Sequence, residues 1–440
     1  MFNTNKAKVT ILAGMAAVAF TANARAQDDV AEQLAEQSAR IDQLSAELEY
    51  MMEEDESDWF GNVDIHGFLA QGYMDSDHNN FLTQSKRGSW ATNEVGLNFG
   101  VDVDEKTRAG MQFFSRDLGP LGNNEVTIDW AMVDYHLHDM LGLRFGKIKP
   151  PHGLYNETRD VDMLRNSILL PQSVYNEPFR AVMSGIWGVG LYGNVPASGF
   201  GDFDYQTQIG TLDVASDGAI ARAVEDGQPL SVDRIDLDYI WSNGLRWNTP
   251  IDGLLLSATY FIMQLDTYAT TTADILGPST TGTPMVFRLE DLQYMVFSAE
   301  YTWDELVLTG EYWLGDMRRE LDIAATSTPV SRDKLEREGY YASAAYRFSD
   351  WFELGSYYSV HYPNSNDKGG ALWVAGGDPD FKAWLKDFAL TARFDITDNW
   401  VFKLEGHKMN GAGDLLLRSD NPDGYKQDWT LFMAKLSLSF

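Results

Sequence analysis

Between residues 149 and 180 the chain sets Arg159, Arg165 and Arg180 among Glu157, Asp160 and Asp162, with Tyr155 and Tyr175 nearby. Lys147 and Lys149 immediately precede this stretch, and Arg116 and Arg144 lie on the segments before it. Guanidinium, ammonium and carboxylate groups mixed in this way make no nucleophile. At a narrow aqueous passage, though, fixed charges between low-dielectric walls focus the field and set which ions enter. The bland alternative is that Glu157, Asp160 and Asp162 neutralise the arginines and simply brace the loop.

Other groupings are weaker. "GVGLYG" (188–193) has dinucleotide-type glycine spacing but sits on a strand with no helix after it, so its glycines read as places of close approach by the 149–180 loop. "DSDHN" (75–79) and "SDNPDG" (419–424) offer oxygen ligands without the spacing of a calcium loop. His136 and His138 fall at a turn near Asp134 and read as interfacial. His361 and Ser365 lack a partner pattern for hydrolysis. Neither a metal, a cofactor nor an enzymatic activity is expected. A net charge of −31 also excludes nucleic acid as a partner.

The elements that would position the charged stretch are strands. From Trp59 to Phe440, segments of about ten residues alternate apolar and polar positions, as a lipid-facing barrel with a wet interior requires. Phe432, Ala434, Leu436, Leu438 and Phe440 share one face, with Met433, Lys435, Ser437 and Ser439 on the other. Short connections at 102–107, 249–253, 302–306, 348–351 and 395–400 alternate with long ones near 74–91, 150–182, 213–231, 266–287, 317–336, 362–381 and 411–426. This rhythm predicts an all-β transmembrane barrel of about sixteen antiparallel strands, both ends on one side. Eighteen stays open, because alternation breaks at Asp129–Trp130 and 232–249 is long for one strand. Bulges would account for both. A soluble β-sandwich or propeller shares the period and is the competing fold.

The first 26 residues read as a signal peptide, with Lys6 and Lys8 before an apolar run and Ala24 and Ala26 at the cleavage site. Residues 27–58 read as a coiled-coil stalk and acidic linker. Val30, Leu34, Gln37, Ile41, Leu44, Leu48 and Met51 step by four and three along a seam that would join identical chains. A single amphipathic helix packed elsewhere is the alternative. Cysteine is absent, so neither disulfides nor thiolate sites arise.

Within the barrel, alternation predicts inward cations at Arg108, Arg116, Arg144, Arg234, Arg246, Arg347, Arg393, Lys403 and Lys435. The inward acids are Glu94, Asp102, Asp204, Asp236, Asp238, Glu300, Glu311, Glu353 and Glu405. Pro150 and Pro151 end the fifth strand, and 150–182 becomes the third loop, folded inward. "DVDMLRNSILL" predicts a short helix started by Asp160, with Met163, Leu164, Ile168 and Leu169 anchoring it to the wall and Arg159 and Arg165 facing the lumen.

The stretch "LRFGKIKPPHGLYNETRDVDMLRNSILLPQSVYNEPFR", the preceding heptads and the final phenylalanine resemble the bacterial general and phosphate-selective porins. Within these, the chain looks most like the group with an N-terminal coiled coil that includes the dicarboxylate-channel (DcaP-like) porins. The resemblance implies a trimer of sixteen-stranded barrels in the Gram-negative outer membrane, the stalk in the periplasm and the third loop lining a constriction. Tyr155, Arg159, Arg165, Pro171, Tyr175 and Arg180 are the loop positions it carries over. It names no solute. The expected function is passive diffusion of small hydrophilic, anionic or neutral solutes, with a lean toward carboxylate or phosphate. That lean rests on Arg116, Arg144, Lys147, Lys149, Arg159, Arg165 and Arg180. The alternative is a non-conducting adhesin or envelope tether.

Overall fold

A computed structural model of the protein describes Arg40, Gln43 and residues 63–274, 277–326 and 328–440. The signal peptide and the seam positions Leu34, Ile41, Leu44 and Leu48 lie outside the described residues. Val63–Phe440 forms a compact unit of its own. Among the described residues no helix is long and apolar enough to cross a membrane.

Sixteen strands close into one antiparallel barrel in which every strand pairs with its sequence neighbours and β1 pairs with β16. They are β1 (Val63–Ser76), β2 (Asn93–Asp102), β3 (Thr107–Asp117), β4 (Thr127–His138), β5 (Leu141–Ile148), β6 (Ile186–Pro196), β7 (Asp202–Thr211) and β8 (Leu230–Asn248). Then follow β9 (Leu254–Thr271), β10 (Pro284–Trp303), β11 (Leu306–Ile323), β12 (Thr328–Ser349), β13 (Phe352–Tyr362), β14 (Leu385–Thr397), β15 (Trp400–Gly411) and β16 (Asp428–Ser439). Closure leaves no unpaired edge, which hydrocarbon demands. The outer face carries exposed apolar side chains such as Phe145, Val189, Ile209, Phe297, Leu390 and Phe432. At the short-turn end Trp351, Phe352, Phe394 and Phe402 pack ring on ring, the aromatic girdle of such walls.

Both breaks in alternation are bulges. The β3–β4 register slips between Gln112 and Phe113, leaving Asp129 the extra residue. β8 slips twice, at Val232/Arg234 and Leu237/Tyr239. The slips turn Ile235, Leu237 and Ile240 into the lumen core. Arg234, Asp236 and Asp238, expected inside, therefore stand outside, with Arg234 over the Tyr268 ring.

Most of the expected long loop 317–336 and both ends of the one at 266–287 are strand. β9–β12 run for 18 to 22 residues each, and only 324–327 joins β11 to β12. The charged stretch 317–336 reads as loop, but its charges pair across strands and with Asp316. Arg319 meets Asp333, Arg332 meets Glu320 and Lys334 meets Asp316, each within 2.7 Å. Three short helices lie in connections: α1 (Arg180–Ser184), α2 (Ala219–Gly227) and α3 (Ala371–Ala375).

Candidate functional site

The loop from 149 to 185 leaves β5 and crosses the inside of the barrel before β6. Its first leg reaches the far wall. Gly153 N donates to Thr259 on β9 (3.1 Å), and Leu154 N donates to Glu311 on β11 (2.9 Å). The loop then returns past β3, where Gln112 donates to Asp160, and on to β15 and β16. There Ile168 N and Leu169 N both donate to Glu405 (2.8 and 2.9 Å), while Ser437 donates to Asp162 (2.8 Å). Asn166 donates to Glu353 on β13, Ser173 and Ser359 share a hydrogen bond, and the Tyr175 hydroxyl returns to Glu311 at 2.6 Å.

The wall is built to admit this path. At Gly339 a Cβ would lie 2.4 Å from Ser173 O, and at Gly355 it would lie 2.0 Å from Asn166 Oδ1. A side chain at Gly339 would meet the loop backbone and push it off the strand, whereas one at Gly355 would displace the Asn166 side chain. Val174, Tyr175, Val182 and Met183 pack with Ile240, Phe261, Tyr294 and Trp313 on one side. Ile168 and Leu169 pack with Leu415, Trp429 and Met433 on the other.

Between those two contacts lies one connected ionic network. Glu177 meets Arg116 and Arg159, each at 2.6 Å. Arg180 joins Glu94 (2.9 Å), Asp160 and Glu177. Lys149 bridges Asp129 and Asp160. Asp162 meets Lys435 (2.6 Å), Arg165 (2.7 Å) and Lys403 (3.9 Å), and Lys435 returns to Glu94 at 2.7 Å. That is seven cations and five carboxylates, an excess of two positive charges.

Burial alone would raise the carboxyls of Asp160, Asp162 and Glu177, but the adjoining cations reverse this and hold all three well below the ordinary carboxylate range. A carboxylate depressed in the docked state contributes its full stability above its ordinary pKa and loses it progressively as pH falls from there through the depressed value. Open-channel noise recorded across an acid series should therefore stay at its neutral level down to about pH 4, near the free-carboxyl value. An onset of noise above that point would show that these pairs do not hold the loop.

No family model matches the chain, and no curated protein matches it by sequence. By fold it is similar to the outer-membrane OmpT of Vibrio cholerae, with TM-score 0.53 and 11% identity over 86% of this chain and 97% of that one. A trimer form of that protein gives 0.51. OprB of Pseudomonas putida gives 0.50 at 12% identity, over 87% and 97%. The outer membrane channel DcaP of Acinetobacter baumannii gives 0.49 at 10% identity, over 86% and 97%. The chain has the fold of the outer-membrane porins.

In this barrel the expected site residues separate into groups. Arg116, Lys149, Arg159, Arg165 and Arg180 come together in the network, with Arg159 and Arg180 almost fully buried. Arg159 pairs with Glu177 rather than with Glu157, Asp160 or Asp162, so it does not face open lumen as expected. Arg165 turns back onto Asp162 and the carbonyl oxygens of Arg159 and Ser167. The exposed edge of the loop is instead Glu157, Thr158 and Leu164. Leu164, expected as an anchor, is 63% exposed.

Tyr175 is wholly buried as an anchor, and Tyr155 reaches Glu300 and Thr309. Arg144 stands apart with Asp134 at 2.8 Å and the Tyr192 ring. Lys147 shares the outer face of β5 with Phe145, because inward positions there are Arg144, Gly146 and Ile148. Its ammonium donates to Ile128 O.

The expected helix at 160–170 is only a single tight turn, Asp162–Leu164. Its backbone donors at Ile168 and Leu169 are taken by Glu405 instead. Gly188 and Gly190 accommodate the neighbouring strand and not the loop, since a Cβ at Gly188 would lie 2.0 Å from Ile209 O. Glu177 was missed, although its spacing of three from Arg180 was a readable signal. Asp129 was missed because only the bulge turns it inward to Lys149.

The two acidic long loops meet each other. Asn79 and Asn80 bond with Lys426 and Asn421, and Asp420 binds Arg222 of α2. His136 sits at its turn 3.3 Å from Asp139. Among the described residues no three His, Cys, Asp or Glu assemble as a metal site.

Proposed function

We propose that the protein is a passive outer-membrane channel for small hydrophilic solutes, with a preference for anions such as carboxylates or phosphate. The observation that carries this reading is the in-barrel loop, whose network holds seven cations against five carboxylates. A sixteen-stranded barrel otherwise encloses a wide aqueous channel, so the loop narrows it where the charge excess lies. Field focusing there concentrates anions. The working unit is a homotrimer, as in the trimer form of the Vibrio OmpT. Residues 27–58 form a periplasmic stalk with Leu34, Ile41, Leu44 and Leu48 on the shared seam.

Purified protein in planar bilayers should give ohmic steps, with a reversal potential of anionic sign in a salt gradient. Arg116→Gln removes one network charge and leaves Glu177 its contacts with Arg159 and Arg180. The anion-to-cation permeability ratio should then fall roughly two- to fivefold, the effect of one charge a few ångströms away in a water-like medium. The current should stay quiet. An unchanged ratio would remove the network from the selectivity.

One observation favours a second reading. The inward charges are largely paired, as a sealed adhesin or tether would require. Silent bilayers at high protein would decide for it.

A further inference from the structure

On the β9–β13 side of the loop lies a cavity of about 30 Å³, walled by Phe179, Tyr294 and Trp313. That is room for about two waters. Four nearly fully buried polar residues line it: His152, Arg159, Arg337 and His361. Each leaves one buried nitrogen without a partner: His152 Nδ1, Arg159 Nε, Arg337 Nε and His361 Nδ1. Buried polar atoms are rarely left unpaired, because each costs roughly 1–3 kcal/mol. Four on the residues lining one small space mark it as a polar site, to be filled by water or by a polar ligand.

The chain already supplies a carboxylate to two of these lining residues. Asp414, on the connection from β15 to β16, accepts from Arg337 Nη2 and from His361 Nε2 at 2.8 Å. Its side chain is 35% exposed while its two partners are buried, so it reaches them from the more exposed side. Arg159 already has Glu177. Replacing Asp414 therefore calls for one negative charge.

We infer that this cavity is a subsite for a small hydroxycarboxylate, whose carboxylate takes the place of Asp414 on Arg337 and His361. The carboxylate accepts from these groups as Asp414 does. The adjacent hydroxyl meets the remaining mix of donors and acceptors. Arg159 Nε and Arg337 Nε are donors only. His152 donates from Nε2 to Val174 O at 3.0 Å, which leaves Nδ1 as an acceptor. Burial also pushes the His152 imidazole down to about 4, so the ring is neutral at neutral pH. A carboxylate without a hydroxyl leaves that acceptor empty. Asp414 is thus a tethered competitor, and it must swing out before the solute binds. This subsite rests on the channel reading only for its role in solute passage; binding itself does not depend on conduction.

The test is calorimetric titration of the full chain in detergent with L-lactate and with propionate, its analogue lacking the hydroxyl. Lactate should bind roughly fivefold more tightly, the yield of one added hydrogen bond. Asp414→Asn should tighten lactate roughly tenfold by removing an intramolecular competitor of millimolar effective concentration. Arg337→Gln should abolish binding.

Weaker lactate binding in Asp414→Asn would mean that Asp414 is a structural tie, and the inference would fall. So would equal affinities for lactate and propionate, a comparison that needs only the wild type if the variants do not fold. Lactate binding with these trends but silent bilayers would overturn the channel reading and keep the subsite. Conduction without lactate binding would do the reverse.

Discussion

Asp162→Ala is expected to enlarge the current through the barrel and make it noisy. Asp162 is the carboxylate on which Lys435, Arg165 and Lys403 converge, and it also accepts from Ser437. Its removal leaves buried ammonium and guanidinium groups without their counter-charge. Breaking a buried pair from one side typically costs about 3–5 kcal/mol. The barrel ladder does not depend on these contacts, so the loss falls on the docking of the loop against β15 and β16. Glu405 still holds Ile168 and Leu169, so the loop should flicker rather than leave. Single-channel recordings should show conductance up by roughly twofold or more, toward an unobstructed barrel of this size. A quiet wild-type current would mean that this contact does not hold the loop in place.

This network shows where sequence reading reaches its limit. The faces of β13 to β16 were legible because a strand has period two, so Glu353, Lys403, Glu405 and Lys435 fell inside as expected. The loop's position was legible too, since two prolines stop β5. Its pairings were not. Lys403 reads as a lumen cation, but its ammonium is buried against the carbonyls of Asp162 and Arg165, both at 2.8 Å. Only the loop's path brings those carbonyls there, and no spacing within β15 records it. The bulges had the same effect on a smaller scale, moving Asp129 inward and Arg234 outward. The tall strands were hidden for another reason. Residues such as Arg319 and Asp333 resemble a solvated loop until each finds its opposite across the hairpin.

Glu311→Ala should release the loop at its other end. Four donors converge on this one buried carboxylate: the hydroxyls of Tyr175 (2.6 Å), Tyr341 (2.7 Å) and Ser298 (2.6 Å), and Leu154 N (2.9 Å). Alanine leaves them facing a small void. Water repairs part of the loss, so the expected cost is roughly 3 kcal/mol, less than the sum of four orphaned donors. Alone, the change should loosen the leg from Gly153 to Tyr155. Combined with Asp162→Ala it should free both ends, and the conductance increase should then exceed the sum of the two single effects. Strict additivity in such a double-mutant cycle would mean that the two contacts do not restrain one common segment.

The unequal strand lengths have a consequence for whatever meets the barrel from outside. A bilayer is crossed by about 9–11 tilted residues. β5 has eight residues and β12 has 22, so β9–β12 rise roughly 20 Å above the crossing segment at strand rise and tilt. The mouth is accordingly cut on a slant, like the lip of a jug. Anything that meets the barrel at that end touches the high lip first, and the low side of the rim lies over β2 to β7.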